Sequence, residues 1–357
     1  MFTRAEWTRT LPGRADIRRI LVIKWSALGD IVIASALFED IRQAFPGCAI
    51  HLNTLPAWAD LFAHAPCFDR IIAMPVRGIR AIARWLHAVR SQRYDLIIDL
   101  QSNDRSRLLM TLLQLSGCGA RYRLGTHRRF PYNIAPATQS PDVHAFMHLR
   151  AALHAGGIAT PAAGPVLYPG PAHRARAMQI MSAHNLSSGC YALLMPGCKK
   201  GGELKRWGAR RYIALAVHLH DAGMERIVLV GAADDRDVCA RIAACCGDWV
   251  INLCEATTIL DIVPLCEQAA CIVSNDTGTA HVAAVSDRPM VVVCGPTDPR
   301  RVKPVGDRVI ALQAGIYCVN CYRKECTHHA CMALISPEAV FDSLVAAKSL
   351  TMDAAHA

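Results

Sequence analysis

The feature that most constrains this chain is an alternation of short, almost wholly apolar runs with helical segments, begun once, interrupted, and begun again. In the first half the runs 20–23, 49–55, 70–74, 96–100 and 122–124 read as strands, with helical stretches at 31–45, 79–89 and 106–115. Strands without a polar alternate face are buried on both sides, so the pattern predicts a parallel sheet with helices covering both faces. Between 159 and 172 the composition changes, and Pro161, Pro165, Pro169 and Pro171 stand among Ala and Gly, reading as a stiff, extended connector. The alternation then resumes, with strands expected at 191–195, 226–230, 250–253, 271–274, 290–294 and 308–312. Helices are expected at 209–220, 235–246, 259–267 and 279–286, and a last one from Pro337, with Ser336 as its cap. The expected fold class is α/β: two doubly wound, Rossmann-like domains at 18–160 and 175–350. They are expected to face each other across a cleft, with ligands at the carboxyl ends of both sheets.

Composition narrows the function classes. With 52% hydrophobic and 19% charged residues the 357-residue chain is globular and long enough for two cores. No run reaches the roughly 18 apolar residues of a spanning helix. The first sixteen residues, with Arg4, Glu6, Arg9, Arg14 and Asp16, read as neither signal peptide nor anchor. The 16 cysteines are scattered, many inside apolar runs, which suits reduced thiols in the cytoplasm. The formal charge of +10 is concentrated in Arg77, Arg80, Arg84, Arg90, Arg93, Arg105, Arg107, Arg121, Arg123, Arg128 and Arg129. Such a face suits an anionic partner (nucleic acid, acidic lipid headgroups or a phosphorylated glycolipid) or is a solvated basic surface.

Five segments carry candidate chemistry. Lys24-Trp25-Ser26-Ala27-Leu28-Gly29-Asp30 follows the first strand, where loop amides and short side chains point into a ligand crevice. Asp30 reads there either as a cap of the next helix or as a functional carboxylate. Asn275-Asp276-Thr277-Gly278-Thr279-Ala280-His281 offers hydroxyls and amides at a helix start, where a phosphate is favoured, or else a buried capping motif. Gly295-Pro296-Thr297-Asp298-Pro299 is a rigid turn that adds Thr297 as a donor. The loop from Pro196 to Trp207, with Lys199, Lys200, Lys205 and Arg206, could neutralise a leaving diphosphate or be a basic surface loop. Cys318, Cys321, Cys326 and Cys331, with His328 and His329 among them, have spacing compatible with a structural zinc site or with loop-packing thiols, and the metal question stays open. Neither Gly-x-Gly-x-x-Gly nor a P-loop is present, which counts against a nicotinamide dehydrogenase.

In this order the segments resemble glycosyltransferase family 9, the heptosyltransferases of lipopolysaccharide core assembly. The resemblance runs from about Ile20 to Val340 and includes Asp99-Leu100-Gln101-Ser102-Asn103 with Arg105, and Lys205-Arg206-Trp207. It implies the GT-B architecture and an inverting, metal-independent transfer of heptose from ADP-heptose to a lipid A-linked core acceptor. On that resemblance Asp30 is the catalytic base and Lys205 neutralises the diphosphate. Asp235, Asp276, Thr277, Gly278, Thr279, His281 and Thr297 would serve the donor; Ser26, Gln101, Arg105 and Arg129 the acceptor. The implied partners are the nucleotide sugar and a phosphorylated glycolipid, with peripheral contact at the inner membrane's cytoplasmic face, no nucleic acid and no cofactor. Rival readings are another GT-B enzyme such as a nucleotide-sugar epimerase, or a non-catalytic binder of nucleotide sugars or polyanions.

Overall fold

The computed structural model describes residues 10–138, 140 and 142–353, with side chains as far as 347; Arg4, Glu6 and Arg9 lie outside the described residues. The chain divides into two compact units between Tyr168 and Pro169.

In the first unit β1 (Arg19–Ile23), β2 (Ala49–Thr54), β3 (Arg70–Ala73), β4 (Leu96–Asp99) and β5 (Tyr122–Leu124) form one parallel sheet in the order β3-β2-β1-β4-β5. Ile20, Leu21, Val22 and Ile23 are fully buried, as a central strand covered on both faces requires. Helix α1 (Leu28–Ala44) stops before Phe45-Pro46, because the residue preceding a proline is pushed out of helical geometry. Helices α2 (Ile79–Gln92) and α3 (Asp104–Leu115) pack against each other, and α4 (Ala145–Ala155) packs on α1. Right-handed crossovers place α2 and α3 on one face of the sheet and α1 on the other. Trp85 and Val89 from α2 and Leu109 and Leu113 from α3 share one core with Leu21, Ile23 and Ile97.

The second unit holds β6 (Tyr191–Met195), β7 (Arg226–Leu229), β8 (Val250–Asn252), β9 (Cys271–Asn275), β10 (Met290–Cys294) and β11 (Val309–Gln313), all parallel. Their order is β11-β10-β9-β6-β7-β8. Its helices are α5 (Pro171–Ala183), α6 (Ala209–Asp221), α7 (Arg236–Cys246), α8 (Ile262–Gln268), α9 (Gly278–Ala284), α10 (Pro299–Val302), α11 (Ala330–Ala333) and α12 (Pro337–Asp353). Trp207, Tyr212, Leu215, Ile242, Val291 and Leu344 belong to its core.

Each strand expected from the apolar runs is present. The extended reading of 159–172 is too long at its end: Pro171 opens α5 at a first-turn position, where its missing N–H costs nothing. Helix α5 buries only Ala177, so it carries no apolar stripe for periodicity to detect. Among the described residues no helix is long and apolar enough to cross a membrane.

Candidate functional site

In a doubly wound sheet, ligands gather where the strand order reverses and neighbouring connections leave on opposite faces. In the first unit that point lies between β1 and β4, and in the second between β6 and β9. The candidate segments at 24–30 and 100–103 stand at the first, and those at 196–207 and 275–281 at the second.

At the first point the loop after β1 is held by its neighbour. Gln101 Oε1 accepts the amide N–H groups of Trp25, at 2.9 Å, and Ser26, at 3.0 Å. Gln101 therefore supports the loop that carries Ser26, beyond any contact it makes with a ligand. Asp30 lies in the first turn of α1, exposed, and its Oδ2 accepts the Ala27 N–H at 3.0 Å. The capping reading of Asp30 is thus present in the geometry, and its carboxylate remains open to solvent.

Beneath the loop lie two charged groups that spacing did not single out. Lys24 is buried, its Nζ donating to the Leu100 carbonyl at 3.0 Å. Burial pulls its pKa down, and the charges of Asp30 and Asp99 oppose that shift. Asp99 is fully buried; its Oδ2 accepts from the Tyr132 hydroxyl at 2.5 Å and its Oδ1 from the amides of Gln101 and Ser102. Burial raises the Asp99 carboxyl above the ordinary value, and these hydrogen bonds act against the rise. Asn53, at the end of β2, accepts both indole N–H groups of Trp25 and Trp85 on one oxygen, each at 2.7 Å, and donates to the Ile72 carbonyl at 2.8 Å. The two indoles meet edge to face, with centroids 6.4 Å apart.

The candidate acceptor arginines differ in setting. Arg105, in the first turn of α3, and Arg129, in the loop after β5, are both exposed. Arg123 is spent on structure: its guanidinium donates to the carbonyls of Pro131, Ala120 and Arg121. Arg121 pairs with Asp16 and Arg107 with Asp104, each at 3.1 Å.

The second point is a set of paired charges. Lys205 Nζ lies 2.7 Å from Asp276 Oδ2, and the same oxygen accepts from the Thr297 hydroxyl at 2.5 Å. Lys205 is 31% exposed at its side chain and Asp276 only 5%, so a buried carboxylate holds an ammonium that reaches the surface. An ammonium has three donors, and Asp276 takes one. The Thr277 and Thr279 hydroxyls lie 2.7 Å apart at the start of α9, and His281 is buried one turn further on.

The Lys-Arg-Trp segment separates into three roles. Lys205 faces the site. Arg206 clamps the loop, its Nη2 donating to Asp235 Oδ1 at 2.8 Å, to the Asp234 carbonyl at 3.0 Å and to the Cys198 carbonyl. Trp207 is core, with Nε1 donating to the Ile335 carbonyl at 2.9 Å. Asp235, the expected ribose contact, is buried, and its carboxylate accepts from Arg206, the Cys198 amide and the Ala232 amide. Asn275, fully buried, joins the segments: its Nδ2 donates to the carbonyls of Pro196 and Gly197, and its Oδ1 accepts from Trp207 N–H and the Tyr212 hydroxyl. Among the described residues no group of three or more His, Cys, Asp or Glu side chains is arranged to hold a metal ion, Cys318, Cys321, Cys326 and Cys331 included.

The model of glycosyltransferase family 9 (heptosyltransferase) matches residues 82–331. Lipopolysaccharide heptosyltransferase 2 of Salmonella typhimurium is 28% identical over 346 residues, covering 91% of this chain and 97% of that protein. Among solved structures, a glycosyl transferase family 9 protein from Veillonella parvula superposes with a TM-score of 0.79 at 19% identity, covering 95% of this chain and 98% of that one. ADP-heptose lps heptosyltransferase II of E. coli superposes with a TM-score of 0.72 at 24% identity, covering 92% and 98%. These neighbours share the fold, the GT-B architecture of two parallel-sheet α/β units.

Proposed function

Because this chain belongs to glycosyltransferase family 9 (heptosyltransferase), we propose that it transfers a heptose from ADP-heptose to a phosphorylated, lipid A-linked lipopolysaccharide core, inverting the anomeric carbon without a metal. Relatives named lipopolysaccharide heptosyltransferase 2 support the acceptor class. The observation that carries the reading is the Lys205–Asp276–Thr297 cluster at the carboxyl end of β9, a fixed cation where a doubly wound sheet binds phosphate.

In this reading the unit within 18–160 takes the acceptor and that within 175–350 the donor. The Asp30 carboxylate removes the proton from an acceptor hydroxyl as its oxygen bonds to the anomeric carbon. The bond from that carbon to the ADP oxygen breaks at the same time, and ADP departs with increased negative charge. Lys205 stabilises that charge, supplying the positive field a divalent metal supplies in other transferases. Asp276 holds the ammonium in place, and the Thr277, Gly278 and Thr279 amides and hydroxyls, His281 and Thr297 line the diphosphate. Asp235 fixes Arg206 and the loop beside it, next to the ribose. Ser26, Arg105 and Arg129 meet the acceptor and its phosphates, with Gln101 holding Ser26 in position. One base and no covalent sugar–enzyme step give inversion in a single displacement. The enzyme works in the cytoplasm.

The test is a panel of nucleotide sugars with a truncated phosphorylated core glycolipid, with and without chelator, comparing the native chain with Asp30→Asn. Transfer from ADP-heptose that persists with chelator and inverts the anomeric centre supports the reading. Transfer from another donor in place of ADP-heptose overturns the heptosyl assignment, and metal dependence or retention overturns the mechanism.

A further inference from the structure

Residues 70–138 contain twelve arginines, no lysine and three acids, Asp95, Asp99 and Asp104. None of the three acids offsets an exposed cation on α2. Asp95 Oδ2 accepts the amides of Arg18 and Arg19, Asp99 is buried, and Asp104 pairs with Arg107. Trp85 and Val89 anchor α2 to the core, which turns Arg80, Arg84 and Arg90 outward, exposed and without an ion pair among the described residues. Ile79, at the start of the same helix, is 87% exposed.

The neighbouring helix adds an apolar component. Ser106, Leu109, Met110 and Leu113 point α3 into the core, and Leu108, Leu112 and Leu115 stand on its outer side, 52%, 37% and 73% exposed. Their spacing puts them in one line along the helix, in the same line as Arg105. From Arg105 to Leu115 that line is about 15 Å long. Since α2 and α3 pack side by side on one sheet face, a basic strip lies beside a leucine strip on one surface. A solvated helix has no use for three outward leucines in line, and a nucleic-acid surface has no use for them either. Anionic lipid takes both: headgroup phosphates meet the arginines while the leucines enter the acyl boundary.

We propose that the outer surface of α2 and α3 docks this protein on an anionic bilayer, with Arg80 and Arg84 on the phosphates and Leu108, Leu112 and Leu115 inserted at the interface. The surface bears on how a lipid-linked acceptor is met and is independent of the donor and the sugar. The test is cosedimentation of the full chain with phosphatidylcholine vesicles, with and without phosphatidylglycerol, across a salt series. The native chain binds only the phosphatidylglycerol vesicles. Arg80→Gln with Arg84→Gln weakens that binding about fivefold per arginine at low salt. Leu112→Gln with Leu115→Gln removes the binding that survives high salt, keeps the thermal midpoint, and leaves transfer to a deacylated, soluble acceptor unchanged. Binding that ignores both pairs overturns the proposal, as does a dimer dissolved by the leucine pair, or capture of an RNA oligonucleotide through Arg80 and Arg84 without vesicle binding. If no transfer is found but vesicle binding behaves as described, the proposed reaction fails and the surface stands.

Discussion

At the carboxyl edge of the first sheet the loop is held mainly by neutral contacts, Gln101 on two amides and Asn53 on two indoles, and its outermost carboxylate, Asp30, is exposed. At the same edge of the second sheet the charges come in pairs, Lys205 with Asp276 and Arg206 with Asp235, and both carboxylates are buried. The contrast follows from what each place is proposed to do. A base must be reachable by a hydroxyl, so its carboxylate stands exposed at the outer edge of the loop. A phosphate cradle must keep its cations in one geometry before the anion arrives, and a buried carboxylate does that at the cost of some field strength.

The comparison breaks first at Asp30. Asp30→Asn should lower the transfer rate about a thousandfold while the donor dissociation constant, measured by calorimetry, changes little. Retained activity would reduce Asp30 to its contact with the Ala27 amide. Lys205→Met should reduce kcat by about a hundredfold. If steady-state kinetics instead show a raised KM with kcat intact, the ammonium only binds donor and does not stabilise its departure. Asn275→Ala takes one partner from each of four groups, the Pro196 and Gly197 carbonyls, the Trp207 amide and the Tyr212 hydroxyl, and should lower unfolding free energy in urea by about 3 kcal/mol. Asn53→Ala should cost about as much, through the two indoles and the Ile72 carbonyl.

The smallest effect is one of pH. Burial raises the Asp99 carboxyl in the folded chain above its ordinary value of 3.8. The folded state therefore holds a proton that the unfolded chain has already released, so stability falls as pH rises from below 3.8 through the folded pKa. Asp99→Asn removes that slope. Urea midpoints taken from acidic to neutral pH should show the native chain losing ground to the variant as pH increases.

How much of this was legible beforehand depends on the kind of signal. Fully buried parallel strands leave apolar runs that little else produces, so the sheets could be read from Ile20–Ile23 or Met290–Cys294 outward. Helix α5 could not, because one buried alanine makes no stripe. The candidate site was legible as segments, since polar loops after apolar strands are conspicuous, yet roles inside a segment were not. Lys205 and Arg206 are adjacent cations, and only the fold separates one that faces the site from one that clamps Asp235 and backbone carbonyls. Lys24, Asn53, Asp99 and Tyr132 were invisible as a group because the bonds from Lys24 to Leu100, from Trp25 to Asn53 and from Tyr132 to Asp99 span 76, 28 and 33 residues of sequence.

Trp25 immediately precedes Ser26, and its indole shares the Asn53 oxygen with Trp85 at right angles. Two indoles fixed so close together couple their strong electronic transitions, which gives a signed couplet in far-ultraviolet circular dichroism. Any ligand that pulls on the 24–30 loop must tilt one partner of that couplet against the other. The protein therefore carries an unlabelled optical gauge of its first loop, and a titration that changes the couplet while leaving Asp30→Asn catalytically silent would separate arrival of the acceptor from the chemistry that follows.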